Sequence, residues 1–219
     1  HFLPFFLFLS AMPLLGGCSA KEEPEELSMT ELYFDTVIQI RIQGGTPEIL
    51  ETCKELCAYY EGLFSKEIPT SEISRINASL QVAVDVSPET ADLVRQGLYY
   101  SELSDGKFDV TIAPVSDLWD FHDTKNTVIP SEEARNAACS LVNYQNVLVE
   151  DNTVTLLMPG MELDLGGIAK GYIADRLKEY LLGEGVEHGY INLGGNVLLI
   201  GGKYDGSDYR IGIQKPFAE

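Results

Sequence analysis

The sequence predicts an α+β domain, a mixed α/β fold of antiparallel strands with packed helices. Three observations carry this. Apolar and polar residues alternate through Thr36–Gln43 (TVIQIRIQ), the period of a half-buried strand. Just after it, Ile49, Leu50, Cys53, Leu56, Cys57, Tyr60, Leu63 and Phe64 recur at helical spacing. Later in the chain, short strand-like runs are joined by Gly- and Asn-rich turns.

Taken in order, Glu31–Gln43 reads as a strand that Gly44-Gly45 turns. Thr46 then caps a helix with Pro47 at its first position. Ser65–Leu80 is polar and holds one Pro, so it reads as a loop or short helix. Ser87-Pro88-Glu89 opens a second helix that runs to about Ser104. Ser131–Cys139 is a weaker third helix. Asn146–Val149 and Thr153–Leu157 flank Glu150-Asp151-Asn152 as a hairpin. Glu162–Leu165 is a short strand leading through a glycine pair into a helix over Ile168–Leu182. His188–Leu193, Val197–Ile200 and Tyr209–Gln214 read as successive strands.

The N-terminus carries an address. Phe2–Leu15 is an apolar core of signal-peptide length, short of the roughly 20 residues that span a bilayer as a helix. Leu15-Gly16-Gly17-Cys18 resembles a bacterial lipobox, which implies a lipid on Cys18. The expected organisation is a leader over 1–17, a lipidated Cys18 with a polar tether over 18–29, and a domain over 30–219. The protein is then lipid-anchored to a bacterial membrane, on its extracytoplasmic or periplasmic face. With 34 acidic and 15 basic residues, the formal charge is −19. Such a surface repels nucleic acid, so no nucleic-acid partner is expected. A phosphate compound would need local help from a helix N-terminus, a Lys or a metal ion. Cys53, Cys57 and Cys139 read as buried free thiols. The three histidines form no zinc spacing, and no G-x-S-x-G elbow is present.

Chemistry concentrates in Glu162–Arg176 (ELDLGGIAKGYIADR). Gly166-Gly167 let main chain approach a ligand, and the helix that follows offers unpaired N–H groups to a phosphate. Lys170 in its first turn opposes the helix dipole, a placement that suits an anionic ligand better than the helix itself. Asp164 either caps the helix or holds a metal-bound water. A second glycine cluster, Gly194-Gly195-Asn196, follows a strand. Trp119 and Phe121 are placed to stack on an aromatic ligand or to pack in the core. Ser74 and Asn77, in Ser71–Asn77 (SEISRIN), have side chains that suit a phosphate or ribose.

Four stretches taken together, FSKEIPTSEISRIN (Phe64–Asn77), DGKFDVTIAPVSDLWDF (Asp105–Phe121), ELDLGGIAKGYIADR and INLGGNVLLIGG (Ile191–Gly202), with Asp35-Thr36 before them, resemble the ApbE family of flavin transferases. The resemblance implies a T-fold-like domain that binds FAD in a cleft with Mg²⁺. It implies transfer of FMN to a Thr or Ser hydroxyl of a partner protein, with release of AMP. Partners would be flavin-bearing subunits of membrane redox complexes, or extracellular reductases. By the same resemblance, Lys170 and Asp164 are catalytic. Thr36, Ser74, Asn77, Asp109, Thr111, Gly194, Gly195 and Asn196 join Lys170 and Trp119 in binding FAD, and the Gly167 carbonyl contributes to the metal site. The family's pattern continues past Glu219 with a DxxTG-like segment that supplies further metal ligands, which implies a chain shortened at its C-terminus. Two other readings stay open: an FAD pyrophosphatase giving FMN and AMP, and a non-catalytic flavin-binding lipoprotein.

Overall fold

The computed structural model describes residues 24–119, 128–213 and 215. The expected leader over 1–17, Cys18 and Phe121 lie outside the described residues. The first sheet is built from β1 (Glu26–Tyr33), β2 (Thr36–Gln43), β6 (Gly189–Leu193) and β7 (Asn196–Ile200), in the order β1-β2-β6-β7 with every neighbour antiparallel. β1 begins at Glu26, inside the stretch expected to be tether. The alternation in β2 sorts its side chains by face. Ile38, Ile40 and Ile42 are all fully buried, and in the ladder Ile40 opposes Ile191 while Ile38 opposes Leu193.

Two helices cover the inner face. α1 (Pro47–Phe64) packs on β1, α6 (Gly166–Gly183) packs on β6 and β7, and the two helices touch each other. Cys53, Cys57, Tyr60 and Phe64 of α1 meet Tyr172, Ile173 and Leu177 of α6 in one core. Tyr172 stands edge-on to Tyr60 and Phe64, with ring centroids 6.1 and 5.8 Å away. Burial pushes the Cys53 and Cys57 thiols up to about 12, which leaves them unreactive at neutral pH. Cys139 differs from expectation: it is free but exposed. Thr46 occupies the cap position of α1 without a capping hydrogen bond, so the fixed φ of Pro47 marks that start instead.

A smaller sheet, β3 (Val84–Asp85), β5 (Thr153–Leu156) and β4 (Val147–Glu150), runs antiparallel in the order β3-β5-β4. Around it lie α2 (Glu72–Asn77), α3 (Pro88–Leu103), α4 (Ala113–Ser116) and α5 (Glu132–Cys139). Serines cap three of these helices: Ser71, Ser87 and Ser131 each accept a main-chain N–H three residues on, at 2.9, 3.2 and 3.1 Å.

Two sequence-based strands do not form. Residues 162–165 have no regular secondary structure and lack a ladder partner, and Leu165 turns out of the β region (φ −94°, ψ 4°) to start α6. Residues 209–213 have no regular structure, and Ile211 and Ile213 are 51% and 94% exposed. Alternation is a local signal, whereas a strand also needs a neighbour to accept its hydrogen bonds.

Two hairpin turns close the same end of the first sheet. Phe34-Asp35 joins β1 to β2 with both residues left-handed (φ 55° and 54°), the geometry of a two-residue type I′ turn. Gly194-Gly195 joins β6 to β7 in the same way (φ 61° and 95°). This end faces the start of α6, and the cleft opens there.

Candidate functional site

A cleft of 840 Å³ lies between the Phe34-Asp35 turn, α2, the end of α4 and residues 162–164, with Trp119 and Leu118 on one wall. Two further lobes adjoin it. One, of 450 Å³, lies against Glu61, Phe64 and Lys170, and the other, of 460 Å³, against Phe108, Asp109 and Lys170. Asp164 lines all three, so the glycine turn is where they meet.

Asp164 is placed by its neighbours on both sides. Met161, Leu163 and Leu165 are buried in the core, so the alternating Glu162 and Asp164 turn to the cleft. The Asp164 N–H donates to the Val110 carbonyl at 2.8 Å. Its Oδ1 accepts the Gly166 N–H at 2.8 Å, so the side chain caps α6. Its Oδ2 lies 3.8 Å from Lys66 Nζ and 3.5 Å from Ser116 Oγ. Of the two roles expected for Asp164, the cap is the one the geometry displays.

The helix begins at Gly166, two residues earlier than the sequence suggested. Lys170 is therefore its fifth residue, just beyond the first turn. Its Nζ reaches back to the Gly166 carbonyl at 3.4 Å, and among the described residues it has no carboxylate in ion-pair range. The N–H groups of α6 are less open than expected. Gly166 is taken by Asp164, and Ile168 and Ala169 donate to the Leu165 carbonyl, which leaves Gly167 facing the lobe beside Phe108. A Cβ on Gly167 would stand 2.9 Å from the Phe108 ring, so only glycine lets that ring lie against the turn.

Lys66 is the cation that sequence reasoning missed. It bonds Asp117 and lies within 3.8 Å of both Asp164 and Glu67. Burial opposes its charge, but the hydrogen bond and charge of Asp117, with Asp164 and Glu67, raise its pKa on balance. Glu162 is the other missed group. Burial first, then the charge of Asp117, raises its carboxyl above the usual range, against Lys66. Asp35, Glu61, Glu67 and Asp117 also line these lobes. Nothing in local spacing marks them: Lys66 and Asp117 are 51 residues apart. The available signal was their place inside the stretches that carry the resemblance: Lys66 and Glu67 in Phe64–Asn77, Asp117 in Asp105–Phe121, Glu162 in Glu162–Arg176 and Asp35 before them.

Several expected binding residues are engaged elsewhere. Asn77 bonds the Leu163 main chain, and Ser74 Oγ donates to the Lys66 carbonyl at 3.0 Å, although both line the main lobe. Thr111 departs from its expected place on the cleft wall. It is fully buried, its Oγ1 donates to Asp109 Oδ1 at 2.7 Å and accepts the Asn143 N–H at 2.9 Å. Asp109 Oδ2 accepts the Tyr144 N–H at 3.0 Å, so the pair ties down the 143–144 turn. Asp109 still borders one lobe. Thr36, Gly194, Gly195 and Asn196 cluster beside the cleft and line none of the three lobes. A Cβ on Gly194 would stand 2.5 Å from Thr36 Oγ1, and Asn196 Nδ2 lies 3.8 Å from where a Cβ on Gly171 would be. Trp119 lies on the main wall, half-buried. Among the described residues, no three His, Cys, Asp or Glu side chains are grouped to hold a metal ion. No helix among them is long and apolar enough to cross a membrane.

A profile of the ApbE family matches residues 34–219. The chain belongs to the ApbE family. It is 38% identical over 197 residues to the FAD:protein FMN transferase of Klebsiella pneumoniae, covering 88% of this chain and 60% of that protein. It is 30% identical over 213 residues to the FAD:protein FMN transferase of Vibrio cholerae, covering 95% and 64%. Among solved structures, the ApbE protein from Thermotoga maritima superposes with a TM-score of 0.82 at 29% identity, covering 89% of this chain and 65% of that one. The flavin transferase ApbE from Vibrio cholerae superposes with a TM-score of 0.81 at 27% identity, covering 88% and 64%. The ApbE fold, α+β with antiparallel sheets, is therefore that of this chain, which spans 60% to 64% of the length of these two curated relatives.

Proposed function

We propose that this protein transfers FMN from FAD to a Thr or Ser hydroxyl of an extracytoplasmic partner protein and releases AMP. The observation that carries the reading is the cleft whose three lobes meet at Asp164, two of them bordered by Lys170, in a chain whose relatives bear the name FAD:protein FMN transferase. A ligand with an aromatic head, a pyrophosphate and a second aromatic group suits connected lobes with a lysine at their junction. Trp119 offers a ring face to the flavin. Lys170, with no carboxylate partner among the described residues, offers its ammonium to the pyrophosphate, and the Gly167 N–H adds a donor. Lys66 Nζ, 3.8 Å from Asp164 Oδ2, attracts that carboxylate on the side away from its 2.8 Å contact with the Gly166 N–H. In the transfer, the acceptor oxygen forms a bond to the phosphorus of the FMN half while the P–O bond to AMP breaks. AMP leaves with that electron pair, and the hydroxyl proton goes to solvent. Positioning and charge neutralisation carry most such reactions.

A Mg²⁺ requirement belongs to the same proposal. The carboxylates around this cleft are hard oxygen donors, and Mg²⁺ is commonly held by one or two carboxylates together with substrate phosphates, not by an all-protein cage. The donor chemistry thus fits a shared ion, which the Asp164 carboxylate and, by the family resemblance, the Gly167 carbonyl would help to hold. Bound there, Mg²⁺ would neutralise phosphate charge.

Product analysis after incubation with FAD, Mg²⁺ and an acceptor protein tests the reading. Covalent flavin on the acceptor with free AMP supports transfer. Free FMN with AMP would make the protein a pyrophosphatase, and unchanged FAD would leave a binding module. The acceptor is proposed to be a flavin-bearing subunit of a membrane redox complex or an extracellular reductase. The lipid anchor on Cys18 rests on the lipobox-like run before it. Cys18→Ala should move the protein from the membrane to the soluble fraction, and a mutant still firmly in membranes would end the anchor proposal.

A further inference from the structure

Leu163 is fully buried in a segment, 161–165, that pairs with no strand and whose residues alternate between buried and half-buried. Buried main-chain groups need partners, and here one side chain supplies both. The Leu163 N–H donates to Asn77 Oδ1 at 2.7 Å, and Asn77 Nδ2 donates to the Leu163 carbonyl at 3.0 Å. This is the double exchange of a hydrogen-bonded pair in an antiparallel ladder, with a carboxamide in place of the second strand. The amide orientation follows, because the reversed amide would set donor against donor and acceptor against acceptor.

The pairing has a directional consequence. Side chains alternate along an extended segment, so fixing the main chain of Leu163 fixes the side to which Glu162 and Asp164 turn. A slip of one residue would bring Leu163 to the cleft and the carboxylates to the core. We propose that Asn77 is a positioning residue: its carboxamide stands in for a missing strand at Leu163 and so aims Glu162 and Asp164 into the cleft. This role is separate from the ligand contact expected for Asn77 from the sequence, since Asn77 also lines the main lobe. The consequence for FAD rests on the flavin-transferase reading, whereas the positioning itself does not.

Amide hydrogen exchange in the full chain tests it, with rates corrected for intrinsic pH dependence. Asn77→Ala should speed exchange at Leu163 by about ten-fold or more, the effect of losing a bond of roughly 1.4 kcal/mol. It should also speed exchange at Asp164 and Gly166, whose N–H groups bond Val110 and the Asp164 carboxylate. Asn77→Asp gives a sharper readout and serves if the alanine variant does not fold. Ionised, the new carboxylate faces the Leu163 carbonyl with lone pairs. Protonated, it donates as the amide did. Its three amides should therefore exchange faster than wild type at pH 7 and return toward wild type near pH 4, about where an Asp titrates. FAD affinity of Asn77→Asp relative to wild type should recover in parallel. Exchange that recovers while FAD affinity never differs from wild type supports the positioning and removes the flavin reading instead. Acceleration at Leu163 alone, with Asp164 and Gly166 unchanged, would overturn the proposal, as would exchange in the Asp variant that does not recover at low pH.

Discussion

Lys170 was legible because its oddity is local. A cation near a helix N-terminus opposes the dipole, and the sequence shows the helix, the glycines before it and the lysine together. The structure adds that no described carboxylate lies in ion-pair range of it. Lys170→Ala should leave stability nearly unchanged, since Ala is a good helix former and the lysine anchors nothing but a 3.4 Å contact to Gly166. It should weaken FAD binding by about ten- to a hundred-fold, the size of a charge-assisted contact of roughly 1.5–3 kcal/mol. A titration with equal affinities would remove Lys170 from the site. Glu162 was not legible, because burial and the charge of Asp117 act on it from parts of the chain no spacing rule connects. Its raised pKa means that the folded state binds the proton more tightly than the unfolded chain does. Stability is then gained as pH falls through that raised value toward about 4.3 and lost as pH rises through it. Glu162→Gln should raise the melting temperature at pH 7, with the gain fading as pH approaches 4. A gain that is the same at both pH values would assign the effect to packing.

At the scale of elements, β2 and α1 emerged from the sequence because each carries its own periodicity and each buries the face that periodicity marks. The segment 162–165 alternates equally well, yet its partners are a side chain of α2 and the Val110 carbonyl. Tyr209–Gln214 alternates too, and residues 209–213 have no described neighbour strand to pair with. Pattern marks which residues suit a strand, and pairing is decided by what folding brings alongside. At the Gly194-Gly195 turn the group that crowds the main chain is Thr36 of β2. Gly194→Ala combines a left-handed φ of 61° with a Cβ 2.5 Å from Thr36 Oγ1 and Cγ2. It should cost about 1–3 kcal/mol in chemical denaturation. In a Thr36→Ala background the cost should shrink, because those two atoms are gone. Equal costs in both backgrounds would place the strain in the backbone alone.

The molecule as a whole carries a formal charge of −19, and its three-lobed cleft is lined by seven of the carboxylates, Asp35, Glu61, Glu67, Asp109, Asp117, Glu162 and Asp164, against Lys66, Lys107 and Lys170. On the proposed function, an FAD pyrophosphate brought there would meet seven carboxylates against three lysines, of which Lys66 is already held by Asp117. This balance of charge is the physical ground for the proposed Mg²⁺ requirement. The sequence made the deficit visible as a number, and the fold concentrates it where the family's glycine turn opens. Calorimetric titration of FAD into the protein, with Mg²⁺ and after removal of divalent ions by a chelator, at one fixed ionic strength, tests this most directly. The account predicts saturable binding with Mg²⁺ and a loss of at least about ten-fold in affinity without it, on the order of 1.4 kcal/mol. Affinity unchanged by the chelator would contradict it.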